Sequence, residues 1–320
     1  MRTTHTRSTS PSSVLPGVKC PLGCLAVAMV WIACWAAWSA DLRPARADET
    51  PAGTRLANPF FAMNFDWYDK EIASSRKAQA DLLKELGYDG CQYLGTLEGL
   101  REIQEAMDAA GLKIHTIALR GAYNISVDPG TEYNPELKSM IRGLKGRRTL
   151  VLIGFSSRKY PRSSPEGDAK AVKAAGELAD YARQFGLRVA IYPHVNQWCE
   201  RVEDALRIAE KADRENLGIC FNLYHWLRTD RQRHLDRLVA ITMPRLFLVT
   251  INGTSPEGSM ETLDRGAYDV CRFLKPFIEA GYSGPIGLQL CNVRGKARDN
   301  LQRSMTAWRA LSARLKAKEN

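Results

Sequence analysis

Short apolar runs alternate along this chain with longer segments whose apolar residues recur every three or four positions. The runs predict eight strands, near residues 58–64, 89–93, 113–119, 149–154, 188–192, 217–221, 245–251 and 286–290. Several of these runs are apolar throughout, which is typical of parallel strands that are buried on both faces.

The segments between the runs have the spacing of amphipathic helices. In segment 97–110 the apolar residues Leu100 and Ile103 share one face, and Gly111 follows as a helix stop. Segment 165–186 repeats this pattern. Strict alternation of strand and helix predicts a parallel sheet, and eight units without a domain-sized break favour closure. The predicted fold is therefore α/β, a single (β/α)8 TIM barrel after an N-terminal signal peptide.

The first 47 residues predict a signal peptide. Residues 1–19 are basic, residues 20–40 carry no charge, and residues 45–47 (ARA) place alanines at the two positions that a signal peptidase reads. We therefore assign 1–47 to the signal peptide, 48–57 to a short N-terminal linker and 58–320 to the barrel. The expected location is exported, either periplasmic or secreted. The uncharged stretch is also long enough to span a bilayer, so a membrane-anchored protein is the alternative.

Composition narrows the expected partners. Removing 47 of the 320 residues leaves 273, close to the roughly 250 of a typical eight-stranded α/β barrel. The formal charge of +10 falls to +6, because five basic residues and one acid lie in the leader. No basic stripe is interleaved with aromatic residues, so nucleic acid is not an expected partner. Membrane contact is expected only through an uncleaved N-terminal segment, and the oligomeric state stays open.

The cysteines lie too far apart for a disulfide framework or a zinc cluster. Five of the eight follow the predicted leader, an odd number without paired spacing. Cys91, Cys220 and Cys291 lie in or beside predicted strands. We therefore expect them to be small buried apolar residues.

Polar side chains end or follow the predicted strands, where α/β barrels gather their ligand sites. They are Asn64, Gln92, Tyr192, His194, Asn222, His225, Asn252 and Gln289. The set is rich in amides and nearly uncharged, which suits hydroxyls and carbonyls better than phosphate. Arg120, in the loop after the third strand, adds a charged candidate. The predicted ligand is a neutral small-molecule carbohydrate.

Four short motifs give the chain a family resemblance. They are LGYDG at 86–90, YPH at 192–194, NLYH at 222–225 and GPIGLQ at 284–289. In their order and spacing, the sequence resembles the xylose-isomerase-like barrel family over about residues 58–315. That family contains sugar isomerases, sugar epimerases and abasic-site endonucleases. The resemblance implies a TIM barrel and proton-transfer chemistry on a sugar.

Departures from this family concern the metal ligands. Members with a divalent metal usually have carboxylates where this chain has Tyr192, Asn222 and Gln289, and a His-x-x-Asp-like element where it reads TING at 250–253. Hard cations need carboxylate oxygens, and amides and a phenol lack the charge that holds Mg²⁺ or Mn²⁺. We expect no cofactor and no tightly bound metal. Asp66 or a loop carboxylate is the candidate replacement ligand.

Without a metal, proton transfer falls to side chains, and histidine titrates nearest neutral pH. His194 and His225 end adjacent predicted strands and are the predicted catalytic pair. Tyr192 joins them as a phenolic acid or as a wall for a sugar face. The predicted substrate-binding residues are Asn64, Gln92, Arg120, Asn222, Asn252 and Gln289. The alternative is that each imidazole only bonds loop backbone and that Tyr192 packs against a helix.

The leading hypothesis for function is an exported carbohydrate-active enzyme of the sugar isomerase or epimerase type. It would act on a neutral sugar or keto-sugar by proton transfer. The alternatives are a keto-sugar lyase or hydratase and a non-catalytic sugar-binding barrel. A metal-dependent abasic-site nuclease is disfavoured by the export signal, the missing ligands and the absence of a basic stripe.

Overall fold

The computed structural model describes residues 56–229 and 233–316. The predicted signal peptide and most of the predicted linker lie outside the described residues. Leu56, at the end of that linker, is buried in the core, and the Asn58 side chain donates hydrogen bonds to the carbonyls of Tyr282 and Gly284. In the described ranges, no helix is both long and apolar enough to cross a membrane.

Eight parallel strands form a closed barrel, which confirms the predicted fold. In chain order they are β1 (Phe60–Met63), β2 (Gly90–Gly95), β3 (Lys113–Leu119), β4 (Leu150–Ser156), β5 (Arg188–Ile191), β6 (Leu217–Asn222), β7 (Leu246–Ile251) and β8 (Ile286–Gln289). Each strand pairs with the next, and β8 pairs with β1 from Phe60↔Ile286 to Met63↔Gln289. The register shifts by one residue within the β2–β3 and β6–β7 pairs.

Helices follow the strands on the outside of the barrel. They are α1 (Lys70–Ala73), α2 (Arg76–Leu86), α3 (Leu100–Ala110), α4 (Glu136–Gly143), α5 (Asp168–Arg183), α6 (Val202–Ala212), α7 (Leu223–Thr229), α8 (Leu235–Thr242), α9 (Val270–Glu279) and α10 (Ala297–Lys316). Helix α3 ends at Gly111 in a left-handed conformation with φ of 71°, as its sequence predicts.

Three short strands lie in loops that the sequence left without structure. Asn124–Ser126 pairs with the end of β4, and Gly253–Thr254 pairs with Met260–Glu261 in a hairpin after β7. Gly253 is needed there, because a Cβ would lie 2.1 Å from the carbonyl oxygen of Thr262. These loops rise from the carboxyl ends of the strands and surround the barrel mouth.

The barrel interior is filled by a stack of mainly apolar side chains, to which β1 and β4 each contribute two successive inward residues. It contains Phe61, Met63, Ala118, Leu150, Leu152, Ala190, Tyr192, Cys220 and Leu248. Successive side chains of a strand alternate between faces, so the next inward residues on β6, β7 and β8 are Asn222, Thr250 and Gln289. A polar layer therefore lies on this stack at the carboxyl end.

Of the three cysteines predicted to be buried, Cys91 and Cys220 are buried and Cys291 is not fully so. Cys91, Cys199, Cys220 and Cys271 are buried and Cys291 is half-buried, all as free thiols. Burial raises the pKa of the Cys91 thiol to about 12, which keeps it neutral and unreactive.

Candidate active site

Tyr192 stands at the centre of the polar layer. It follows β5 directly, and its hydroxyl lies 2.8 Å from Asn222 Nδ2 and 3.1 Å from both Gln289 Oε1 and His225 Nε2. Asn222 Nδ2 also donates to Thr250 Oγ1 at 2.6 Å. Residues from four consecutive strands, separated by up to 97 positions, are thus joined in one buried network.

The hydrogen bonds of this network fix the tautomer of His225. The backbone N–H of Val195 donates to His225 Nδ1 at 3.4 Å, so a neutral ring carries its proton on Nε2. Nε2 then donates to the Tyr192 hydroxyl, which donates in turn to Gln289 Oε1. Burial, followed by the nearby His194 and Arg228, holds the pKa of His225 well below its ordinary value. His225 is a neutral ring with both nitrogens occupied.

His194 has the opposite arrangement. Its Nδ1 donates to the carbonyl of Val195 at 2.7 Å, which leaves a lone pair on Nε2. Within the described part of the chain, that Nε2 has no hydrogen-bond partner. Burial lowers the pKa of His194, against a smaller rise from its backbone bond, so the ring is neutral near pH 7. The two imidazole centroids lie 4.0 Å apart.

Val195 couples the two histidines. Its N–H donates to His225 Nδ1 and its carbonyl accepts a hydrogen bond from His194 Nδ1, so the backbone of one residue orients both rings. The loop is held by the His194 N–H, which donates to the carbonyl of Cys199 at 3.0 Å. Asn196 follows with φ of 70°, a left-handed conformation that asparagine tolerates better than most residues. His225 therefore supports the loop that presents His194.

Two connected spaces open above the polar layer. The inner cavity has a volume of about 120 Å³ and lies over the barrel axis, between Asn64, Gln92, Tyr123, Tyr192 and Gln289. The outer cleft has a volume of about 910 Å³ and lies between helix α7 and the hairpin after β7. His194, Gln289 and Cys291 line both spaces. The His194 ring therefore lies where the inner cavity meets the outer cleft.

The amides of the inner cavity include unsatisfied groups. Gln92 Oε1 is buried without a hydrogen-bond partner among the described residues. An unpaired buried carbonyl oxygen costs about 1–3 kcal/mol, which a ligand hydroxyl would recover by donating to it. Asn64, with φ of 51°, lies across the same cavity. Both predicted binding residues thus face the space that His194 borders.

The structure places three predicted binding residues outside the lining of the inner cavity. Asn222 is one of them and is buried in the polar layer. Arg120 is exposed, and its guanidinium donates to the carbonyl of Leu94 at 3.0 Å at the rim of the mouth. Asn252 is buried under the hairpin, where its Nδ2 bonds the Gly253 carbonyl and Thr254 Oγ1. His225, predicted to end a strand, lies in the first turn of α7.

Sequence reasoning did not single out three residues that the structure brings to the mouth. Trp67, 47% exposed, and Cys291 line the inner cavity, and Thr250 anchors Asn222. Trp67 follows β1 by four positions, inside a loop that the barrel fold places at the carboxyl face. That position is the signal that could have identified it.

The residues present do not fit a divalent metal. In the described residues, no group of three or more His, Cys, Asp and Glu side chains could hold one. At the centre of the mouth, Asn222 Nδ2 lies within hydrogen-bond distance of Tyr192, Thr250 and Gln289, so an N–H donor occupies the place where a metal would need an oxygen ligand. Asp66 instead accepts a hydrogen bond from Gln79 at 3.0 Å and lies 3.9 Å from Arg76.

The strands and helices define a parallel α/β barrel whose mouth carries a polar layer and two cavities. The xylose isomerase-like TIM barrel model matches residues 80–311, and the chain belongs to that family. This confirms the resemblance that the motifs indicate.

Similar proteins include sugar epimerases. A 3-keto-D-glucoside 4-epimerase from E. coli is 17% identical with a TM-score of 0.62, covering 79% of this chain and 99% of the epimerase. A D-allulose 3-epimerase from Methylomonas sp. is 18% identical with a TM-score of 0.60, covering 81% and 98%. At these identities the likeness concerns the fold.

One relative has a different reaction in its name. The 3-dehydroshikimate dehydratase of Pseudomonas aeruginosa is 27% identical over 131 residues, which is 36% of this chain. The chain spans 20% of that relative's length.

Proposed function

We propose that the barrel mouth binds a neutral sugar or keto-sugar and catalyses proton transfer at carbon, as a sugar isomerase or epimerase. The single observation that carries this proposal is the position of His194, which lines the inner cavity together with uncharged amides and whose Nε2 has no partner among the described residues. A general base needs a lone pair at neutral pH and access to the substrate, and His194 has both. His225 and Tyr192 act as positioning residues in this proposal.

The chemical step is removal of a proton beside a carbonyl. The C–H bond breaks, the proton moves to His194 Nε2, and the electron pair forms an enolate whose charge lies on the former carbonyl oxygen. The side-chain amides of Gln92 and Gln289 supply neutral N–H donors for that oxygen. Return of the proton from His194 to the neighbouring carbon, with movement of the hydroxyl proton to the former carbonyl oxygen, gives an isomer. Delivery of a proton from water to the opposite face of the enolate gives an epimer, and His194 then releases its proton to solvent.

A second outcome of the same enolate is elimination. Loss of a hydroxyl group from the neighbouring carbon would make the protein a keto-sugar lyase. The partial similarity to a dehydratase favours this as the second candidate. A non-catalytic sugar-binding barrel is the third candidate. It is disfavoured because it gives no role to the unpaired Nε2 of His194.

We further propose that the reaction uses no tightly bound metal and that the protein is exported. The amide and phenol groups at the centre of the mouth support the first point, and the charge pattern of residues 1–47 supports the second. A cytoplasmic, full-length mature chain would contradict the export proposal.

Hydrogen exchange at carbon tests the proposed reaction. We expect the protein to exchange a carbon-bound proton when it is incubated in deuterated water with aldoses, ketoses and 3-keto-sugars, as followed by NMR. Because no metal takes part, a chelator should leave the exchange rate unchanged. Exchange that stops with chelator and returns with Mn²⁺ or Zn²⁺ would contradict metal independence, and no exchange with any sugar would contradict proton transfer.

The pH profile tests the assignment of the base. His194 acts as a base only when it is neutral, and burial places its pKa below the ordinary 6.5. We therefore expect kcat/KM to be constant from neutral pH down to about 6.5 and to fall only below it. A rate that already declines between pH 8 and pH 7 would contradict this assignment.

A further inference from the structure

The outer cleft is larger than the proposed reaction needs. Ligand sites usually occupy about 300–1,000 Å³, so the inner cavity of about 120 Å³ accommodates only a small part of a ligand. The outer cleft of about 910 Å³ lies near the upper end of that range. Since His194 and Gln289 border both spaces, a substrate with its reacting carbon at His194 extends into the outer cleft.

The walls of the outer cleft suit a neutral, hydroxyl-bearing group. Among the described residues that line it, the formally charged ones are a single cation, Arg228, and a single anion, Glu257. The Arg228 guanidinium lies 4.9 Å from the ring centroid of Tyr224. The hydroxyls of Tyr224 and Tyr268 have no hydrogen-bond partner in the described ranges. An aromatic wall with free phenols and balanced charge fits a sugar better than an anion.

We propose that the outer cleft is a subsite for a second sugar ring, so that the substrate is a neutral glycoside of two or more sugars. This inference rests on the proposed function, because it places the reacting carbon beside His194, where the inner cavity and the outer cleft meet. The non-reacting ring would contact Tyr224 and Arg228 on one side and the hairpin after β7 on the other.

Binding measurements test the subsite without requiring turnover. Isothermal titration calorimetry would compare glucose with cellobiose, maltose and trehalose on the wild-type protein. We expect at least one disaccharide to bind about tenfold or more tightly than glucose, because the second ring adds contacts at little further cost in rigid-body entropy. Equal affinities for glucose and all three disaccharides, or no binding at all, would overturn the inference.

Variants locate the second ring. We expect Tyr224→Ala to lower the disaccharide affinity about tenfold and to leave glucose binding unchanged, while Tyr224→Phe retains part of the preference. Arg228→Ala tests the same wall at an exposed side chain, where loss of folding is not a concern. Tyr181→Ala, on the outer helix α5, is the matched control and should retain wild-type affinities. Unchanged disaccharide binding in both wall variants would overturn the location.

The two proposals can fail separately. A disaccharide preference without deuterium exchange on any keto-sugar would support the subsite and contradict the catalytic function. Exchange on keto-monosaccharides without a disaccharide preference would support the catalytic function and contradict the subsite.

Discussion

The His194→Gln variant is expected to exchange and convert its sugar at least about a hundredfold more slowly than the wild-type protein. General acid–base groups typically contribute roughly 10² to 10⁴ in rate, and an amide cannot accept a proton near neutral pH. The ring lies above the packed layers of the barrel, so the melting temperature should stay within a few degrees. Steady-state kinetics and thermal unfolding measure the two effects.

Two other histidines provide the comparison. His234→Gln changes an exposed residue at the start of α8 and should retain the wild-type rate. His225→Gln should also lower turnover, because it removes the hydrogen bond between Val195 N–H and His225 Nδ1 that holds the loop. Its kcat/KM should still fall at acidic pH, because that fall reflects protonation of His194. If His194→Gln turns over sugar at the native rate, the base is another group.

The sequence predicts the barrel well because each strand and helix is indicated by the pattern of its own residues. Parallel strands that are buried on both faces form nearly continuous apolar runs, and a glycine such as Gly111 supplies the left-handed conformation that ends a helix. Predicted strand 286–290 and observed strand Ile286–Gln289 therefore agree closely. The short strand Asn124–Ser126 was not predicted, because its pairing with β4 depends on contacts across 30 residues and not on its own pattern.

The candidate site is predictable only in part. Strand order implies that Tyr192, Asn222 and Gln289 meet, since each follows or ends a strand at the same face. The roles of the two histidines are not readable from spacing, because they depend on which ring nitrogen bonds Val195. Asn252 also follows a strand directly, but the hairpin after β7 buries its side chain. The sequence pattern does not predict that the hairpin folds over this position.

The largest stability effect is expected from Trp308→Ala, at the contact between α10 and β1. The indole is 1% exposed and stacks on Phe60 with ring centroids 4.2 Å apart and planes inclined by 9°. Truncating a buried Trp usually costs about 3–5 kcal/mol, because the lost burial adds to the cavity left behind. That cost corresponds to a melting temperature lower by roughly 6–20 °C for a barrel of this size.

Trp67→Ala is the matched control for this substitution. Trp67 is 47% exposed, so its removal should change the free energy of unfolding by no more than about 0.5 kcal/mol. Chemical denaturation of both variants separates the two effects. Helix α10 is also tied to the segment between α2 and β2, where the Tyr88 hydroxyl donates to the carbonyl of Leu301 at 2.8 Å. If Trp308→Ala and Trp67→Ala unfold at the same denaturant concentration, the stacking of Trp308 on Phe60 does not stabilise the packing of α10 on β1.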